Sequence, residues 1–317
     1  MPLNKELLVI ALGGNALIES GKKGTSVDHF ESVLKTAKKL LPLFENDYDI
    51  VITHGNGPQV GNILIQNEET ASKVPSMPLD VCVAQSQGEI GYFLQQTFYN
   101  LFQSGNIKKD VVTIVTRVLV NSKDPAFENP SKPVGPYYDY QTAQNLIRNK
   151  KWRMSEDPSG KGFRRVVASP YPIHIIESRL ILQLLLLGNL PIAVGGGGIP
   201  VMMNRKNEIE GVEAVIDKDL ASSRLAIDLK ADKFIILTNV DNCFLNYKKK
   251  SQTALRDINL DEANTYLEQG QFSAGSMGPK VQAAVDYLTN GGREAYITSI
   301  DKIVQALNHS SGTFLHH

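Results

Sequence analysis

The chain has 317 residues, 42% hydrophobic and 21% charged, enough to bury a large core as one big domain or two moderate ones. Its 33 basic residues balance 33 acidic ones, so no overall field draws it to nucleic acid or an anionic membrane, and a small-molecule partner is expected. Cys82 and Cys243 are the only cysteines, with no CxxC pair and no His/Cys ligand spacing, which suits a reducing compartment.

The opening MPLNKELLVIAL sets Lys5 before an apolar run, but Leu7 to Leu12 is short for a signal core and continues into GGNAL, so it reads as a first strand. Further strand-like runs follow at Ile50 to Thr53, Val111 to Thr116, Pro191 to Val194, Phe234 to Thr238 and Ala295 to Thr298. Between them, Phe30, Val33, Leu34, Ala37, Leu40 and Leu41 repeat as one buried helix face. Helices are also expected after Pro58 and over Asp80 to Phe102, Ile173 to Leu187, Leu220 to Leu229 and Pro279 to Leu288. Apolar strands alternating with helices imply a mainly parallel sheet covered on both faces. The stretch LILQLLLLGNLPIAVG is interrupted by Gln183, Gly188, Asn189 and Pro191, short of the roughly 20 apolar residues of a membrane span, so a cytoplasmic protein is expected.

One segment breaks the rhythm. From about Asn121 to Pro172 the chain is rich in Pro, Gly, Tyr and charge, and plain loops beyond ~15 residues are uncommon and often functional. A small protruding subdomain or lid is expected there, whereas Lys248 to Lys250 reads as a solvated turn.

Chemistry is suggested by glycine-rich turns after apolar strands: LLVIALGGN, IVITHGNG, PIAVGGGG and, less regularly, SAGSMGPK. Glycine lets main-chain N–H groups approach a ligand, and a helix opening beside such a turn favours an anion. Gly13, Gly14 and Asn15 end the first strand, and Gly55, Asn56 and Gly57 the second, with Pro58 suited to a helix start. Any one turn alone is an ordinary strand-to-helix connection; their repetition points to a phosphate site and to phosphoryl transfer. In that chemistry positioning and electrostatic stabilisation do most of the work, through N–H groups, lysines and a metal.

Asp217, Lys218 and Asp219 alternate charge ahead of a helix. Asp219 is suited to capping it and to orienting two lysines or helping hold magnesium, and Lys218 to reaching the transferred group; an exposed capped turn is the plain alternative. Lys280, just inside another helix start, suits nucleotide phosphates, although a surface lysine is commoner in isolation. Lys132 lies in KPVGPYY, where prolines stiffen the backbone and fix its direction; a solvated loop lysine is the alternative. His54 reads as a packed strand residue, because phosphorylating an anionic oxygen requires no base. Cys243 reads as a buried thiol that an adjacent adenine pocket would open to modification.

The stretches ALGGNAL, THGNGPQVGN, MPLDVCVAQSQGEIGY, DPAFENPSKPVGPYY, RRVVASP, GGGGIPV, GVEAVIDKDLAS, LTNVD and SAGSMGPKV run in order along nearly the whole chain. In these the sequence resembles the amino acid kinase family, and within it the carbamate kinase branch. The resemblance implies a three-layer α/β/α sandwich around a mostly parallel, about eight-stranded open sheet, one domain over residues 1–317 assembled as a homodimer. The half up to about residue 190 would hold carbamate or carbamoyl phosphate near Gly13, Gly14, Asn15, Gly55, Asn56 and Gly57. The half from about residue 191 would hold ATP or ADP, with Gly196, Asp217, Asp241, Tyr247, Ala274, Met277 and Lys280 on the nucleotide side. Lys218 would stabilise the transition state, Asp219 organise the lysines, and magnesium ride on the nucleotide phosphates with no direct protein ligand assigned. Where many relatives carry a lysine on the first strand this chain has Ala11, and Lys132 would supply that charge as the lid closes. The implied reaction is reversible in-line transfer without a phosphoenzyme, running towards ATP in arginine fermentation.

The chain departs from the family pattern at Asn121, where an acidic residue is expected, at EDPSGKGFRR, one residue longer than usual, and at Cys243. Competing readings are another family member with a small carboxylate or nucleotide acceptor, a dinucleotide-binding oxidoreductase, and a non-catalytic nucleotide sensor. GNGPQVG meets the dinucleotide fingerprint only loosely, no clear acidic ribose ligand follows ~20 residues on, and no Walker A loop occurs.

Overall fold

Alternate residues of the first strand, Glu6–Leu12, face opposite sides of a sheet, and both sides are buried. Leu7, Val9 and Ala11 join one apolar cluster with Ile181, Leu225 and Val281, while Leu8, Ile10 and Leu12 join another with Val33, Leu40 and Phe98. Helices Ser178–Leu186, Lys218–Leu229 and Met277–Thr289 cover the first face, and Ser26–Glu45 and Leu79–Ser104 the second. Each fully buried Leu or Ile is worth about 1.5–3 kcal/mol, so these layers hold the sheet from both sides. The computed structural model describes residues 5–19, 21–46, 48–157, 160–273 and 275–317.

The central sheet has eight strands in the order Asp257–Asn259, Thr313–His316, Glu294–Ser299, Lys233–Thr238, Glu6–Leu12, Tyr48–His54, Leu190–Ala193 and Val111–Thr113. Every neighbouring pair is parallel except Glu294–Ser299 with Thr313–His316. This is the α/β, mostly parallel eight-stranded architecture that the alternation and the resemblance imply. All six expected strands lie in it; the short, mixed Asp257–Asn259 and Thr313–His316 carry no comparable apolar run.

Two expected elements need correction. The strand expected to reach Thr116 stops at Thr113, and the chain restarts as Arg117–Val120 in a four-stranded sheet with Ile209–Gly211, Ile199–Met203 and Pro172–Ile175. At the break the Gln87 side chain bonds the backbone: its carbonyl accepts from Thr116 N at 2.7 Å and its amide donates to Thr116 O at 3.1 Å, while Thr116 O also accepts from Ile199 N at 2.9 Å and so joins the second sheet. The helix expected from Ile173 begins only at Ser178, because the β-branched Ile173 and Ile175 belong to a strand pairing with Arg117–Val120.

Between these two short strands lies a separate three-stranded sheet, Lys132–Tyr138, Phe163–Val167 and Met154–Glu156, with helix Tyr140–Lys150. Pro158 and Ser159 of the lengthened EDPSGKG stretch lie outside the described residues.

Candidate active site

Because the strands run parallel, the turns after Leu12, His54 and Ala193 gather at one sheet edge, where parallel α/β sheets place their ligands. At Gly13 a Cβ would stand 2.8 Å from Leu237 O, so only glycine lets the first strand's turn lie against its neighbour. Gly196 adopts φ +67°, and a Cβ there would meet Asn56 Oδ1 at 2.0 Å. The third glycine turn therefore seats directly on the second. Asn56 Oδ1 in turn accepts from Ser86 Oγ at 2.7 Å.

Charge collects beside these turns. Asp217 caps helix Lys218–Leu229, its Oδ1 accepting from Asp219 N at 2.9 Å, while its Oδ2 accepts from Lys132 Nζ at 3.0 Å. Asp219 is 3% exposed and accepts from Lys218 Nζ through one oxygen and from Lys280 Nζ at 2.7 Å through the other. Burial pushes the Asp219 carboxyl up, but the two adjacent ammonium groups outweigh it and hold it below the ordinary carboxylate value. Burial draws the Lys218 ammonium down, and the Lys280 charge adds to this against the opposing pull of Asp219. Three ammonium groups thus converge on two carboxylates, leaving a formal excess of positive charge for an anion.

His54 lies among these groups but does not act on them. Burial lowers its pKa to about 4, and its neutral ring donates from Nδ1 to Gly55 O at 2.9 Å. Thr53 Oγ1 and Ser222 Oγ pair at 2.6 Å beneath the cluster, tying the second strand to the helix that carries Lys218.

Two larger cavities flank the cluster. One of about 500 Å³ brings together Gly14, Gly55, Asn56, Gly57, Lys132, Gly196, Asp217 and Lys218. The other, about 510 Å³, is lined by Thr238, Phe244, Tyr247, Phe272 and Met277 among others, and Lys280 stands one turn beyond Met277 on the same helix. Gly13 and Asn15 line a smaller space of about 90 Å³ with Lys35 and Lys39. Asp241 lines none of these three cavities and accepts from Ser299 Oγ at 2.5 Å, and Ala274 lies outside the described residues. Gly196 borders the first cavity rather than the second. Cys243 is fully buried behind the second, 3.5 Å from Met277 Sδ, and burial pushes its thiol up to about 12.

Several residues of the first cavity escaped the sequence reading, an arginine and a tyrosine of the small sheet among them. Arg164, which donates to Gly135 O at 2.9 Å, and Tyr137, whose ring lies 5.2 Å beneath the Arg164 guanidinium, both border it. The adjacent arginines of RRVVASP were the available signal, but nothing local distinguishes which of them faces the cavity. Among the described residues no group of three or more His, Cys, Asp and Glu could hold a metal ion, and no helix is long and apolar enough to cross a membrane.

Known proteins resemble this chain along nearly its whole length. The profile of the Amino acid kinase family matches residues 6–299. Carbamate kinase of Pyrococcus horikoshii is 48% identical over 310 residues, 97% of this chain and 98% of that protein. Carbamate kinase 2 of Staphylococcus aureus is 43% identical over 314 residues, 98% of this chain and 99% of that protein. The solved structure of carbamate kinase from Giardia lamblia bound to AMP-PNP superposes with a TM-score of 0.94 at 43% identity, covering 99% of both chains. With a family profile spanning most of its length and relatives above 40% identity along nearly all of it, this chain belongs to the amino acid kinase family.

Proposed function

We propose that the protein is a carbamate kinase, transferring a phosphoryl group reversibly between ATP and carbamate. The observation that carries this reading is the meeting of Lys132, Lys218 and Lys280 on Asp217 and Asp219 beside the glycine turns. Phosphoryl transfer spreads charge over the equatorial oxygens in the transition state, and preset ammonium groups in a partly dry site stabilise that charge without reorganising. Lys218 and Lys280 act on the transferred group and the nucleotide phosphates, and Asp219 keeps both in place. The turns Gly13 to Asn15 and Gly55 to Gly57 hold carbamate or carbamoyl phosphate, in the half up to about residue 190.

The second cavity takes the nucleotide, with Tyr247 and Met277 near adenosine, while Gly196 and Asp217 border the acceptor cavity. Magnesium is carried on the nucleotide phosphates. Residues 121–172 form a lid over the acceptor, and Lys132 brings its charge to a substrate that has no side chain to grip. The reaction is direct in-line transfer without a phosphoenzyme, in a cytoplasmic homodimer that makes ATP from carbamoyl phosphate and ADP in arginine breakdown. The acceptor cavity of about 500 Å³ exceeds what a four-atom anion fills, so a larger carboxylate acceptor is the second reading.

ATP formation from carbamoyl phosphate, ADP and magnesium, measured beside Lys218→Ala and Lys132→Ala, tests the proposal. Rapid formation that is lost in Lys218→Ala and reduced in Lys132→Ala is expected. No ATP from a folded, nucleotide-binding protein refutes it and directs the search to larger acceptors.

A further inference from the structure

We propose that Arg165 is a positioning residue for Lys132: it clamps the root of the three-stranded sheet to the body so that the lysine is preset over the acceptor cavity. The inference rests on the reading of Lys132 as a phosphoryl-contacting lysine.

The strands pair antiparallel with Lys132 opposite Val167 and Val134 opposite Arg165. Directly opposed residues and those two apart share a face, so all four side chains are on one side of the small sheet. Val134 and Val167 are buried in an apolar cluster with Val60, Ile63, Leu64 and Val215, which belong to the body. Arg165 ends that cluster at 8% exposure. Its Nη2 donates to Glu213 Oε2 at 2.5 Å, and its guanidinium lies 4.4 Å over the ring of Trp152. The same ring carries Lys150 Nζ at 4.8 Å, and Lys150 pairs with Glu68 on helix Gln59–Glu69, which opens just beyond the Gly55 to Gly57 turn.

Glu213 belongs to the segment that ends in the catalytic carboxylates. Between it and Asp217, Ala214 bridges Ala168 and Val215 N donates to Ala168 O at 3.0 Å, so the end of the strand that carries Arg165 is held alongside this segment. Asp217 then accepts from Lys132. A closed circuit results: Lys132, its strand partner, Arg165, Glu213, Asp217 and back to Lys132. A planar guanidinium that pairs and stacks at once fixes both the distance and the tilt of the small sheet, which a flexible ammonium or an apolar side chain does not. Tilt matters because a displacement of about 1 Å at a reacting group costs up to about 100-fold in rate. On this account lid movement is confined to the outer end, around Tyr137, while the root carrying Lys132 stays set.

The test is a double-mutant cycle of Arg165→Met and Lys132→Ala on ATP formation, with Trp152, the only tryptophan, as an internal fluorophore. Arg165→Met alone should lower kcat about tenfold or more with the KM for ADP within about twofold, and should change the Trp152 emission. In the Lys132→Ala background the same substitution should change kcat by less than about twofold, because the residue it positions is gone. Equal losses in both backgrounds mean that Arg165 serves the fold only, and overturn the proposal. An unchanged kcat in Arg165→Met also overturns it. If Arg165→Met does not fold, Glu213→Gln, at an exposed carboxylate, replaces it in the same cycle with the same expectation. Wild-type enzyme without ATP formation, or Lys132→Ala as fast as wild type, instead fails the underlying reading and removes this proposal with it.

Discussion

Replacing Asp219 with Asn keeps the side chain's shape and removes its charge, which isolates what the carboxylate does between two lysines. Both lysines are nearly buried, with 14% and 13% of the Lys218 and Lys280 side chains exposed, so the substitution leaves two ammonium groups close together with little water. Removing one partner of a buried pair costs about 3–5 kcal/mol; because the isosteric amide still accepts a hydrogen bond, the lower end applies. At roughly 2 °C per kcal/mol for a chain of this size, the melting temperature should fall by about 6 °C. Two misplaced ammonium groups should cost about 100- to 1,000-fold in kcat. Without Asp219 the Lys218 ammonium titrates still lower, so the alkaline limb of the pH–rate profile should move to lower pH. Saturating ADP should recover part of the lost stability, since its phosphates supply the missing anion. Thermal and urea unfolding with and without ADP, beside ATP formation from carbamoyl phosphate across pH, measure these. A variant within about 0.5 kcal/mol of the parent that keeps most of its kcat would refute the view that Asp219 organises the lysines.

Two further outcomes follow from other sites. Burial raises Asp286 to about 6; Gln282 donates to its Oδ1 while its Oδ2 is buried without a partner. A carboxyl raised on folding favours the folded state below its unfolded value and loses that contribution as pH rises through about 6. The full linkage is roughly 3 kcal/mol, and partial exposure screens it to about 1.5 kcal/mol. Asp286→Asn should therefore match the parent near pH 4 and exceed its stability by that amount above pH 7; a pH-independent difference in urea unfolding would count against this. Gly196→Ala forces a methyl group at φ +67° to within 2.0 Å of Asn56 Oδ1. It should cost about 1–2 kcal/mol from the backbone alone and, by displacing Asn56, about 100-fold in kcat/KM for carbamoyl phosphate. Unchanged kinetics would show that the contact between the second and third turns is dispensable.

The alternation of apolar runs and helical periodicity was sufficient for the layers, because a parallel strand buried on both faces must be apolar at successive positions, as Leu7 to Leu12 is. Glycine turns at the ends of the first, second and fourth apolar runs, together with the DKD triplet, marked the turns beside the charged cluster and its Asp217 to Asp219 part, since capping and close approach are local properties. What local sequence did not carry was partnership. Nothing near Thr116 reveals that the Gln87 side chain bonds its backbone, nothing near Lys132 that Asp217, 85 positions on, receives its ammonium, and nothing near Arg165 that Glu213 and Trp152 hold it. The depressed Lys218 and the neutral His54 likewise depend on burial. Burial is a property of the whole packed chain, because water is excluded by elements distant in sequence. Residue types and their local turns were therefore determined by the sequence alone, while distances, partners and protonation were decided by the tertiary structure.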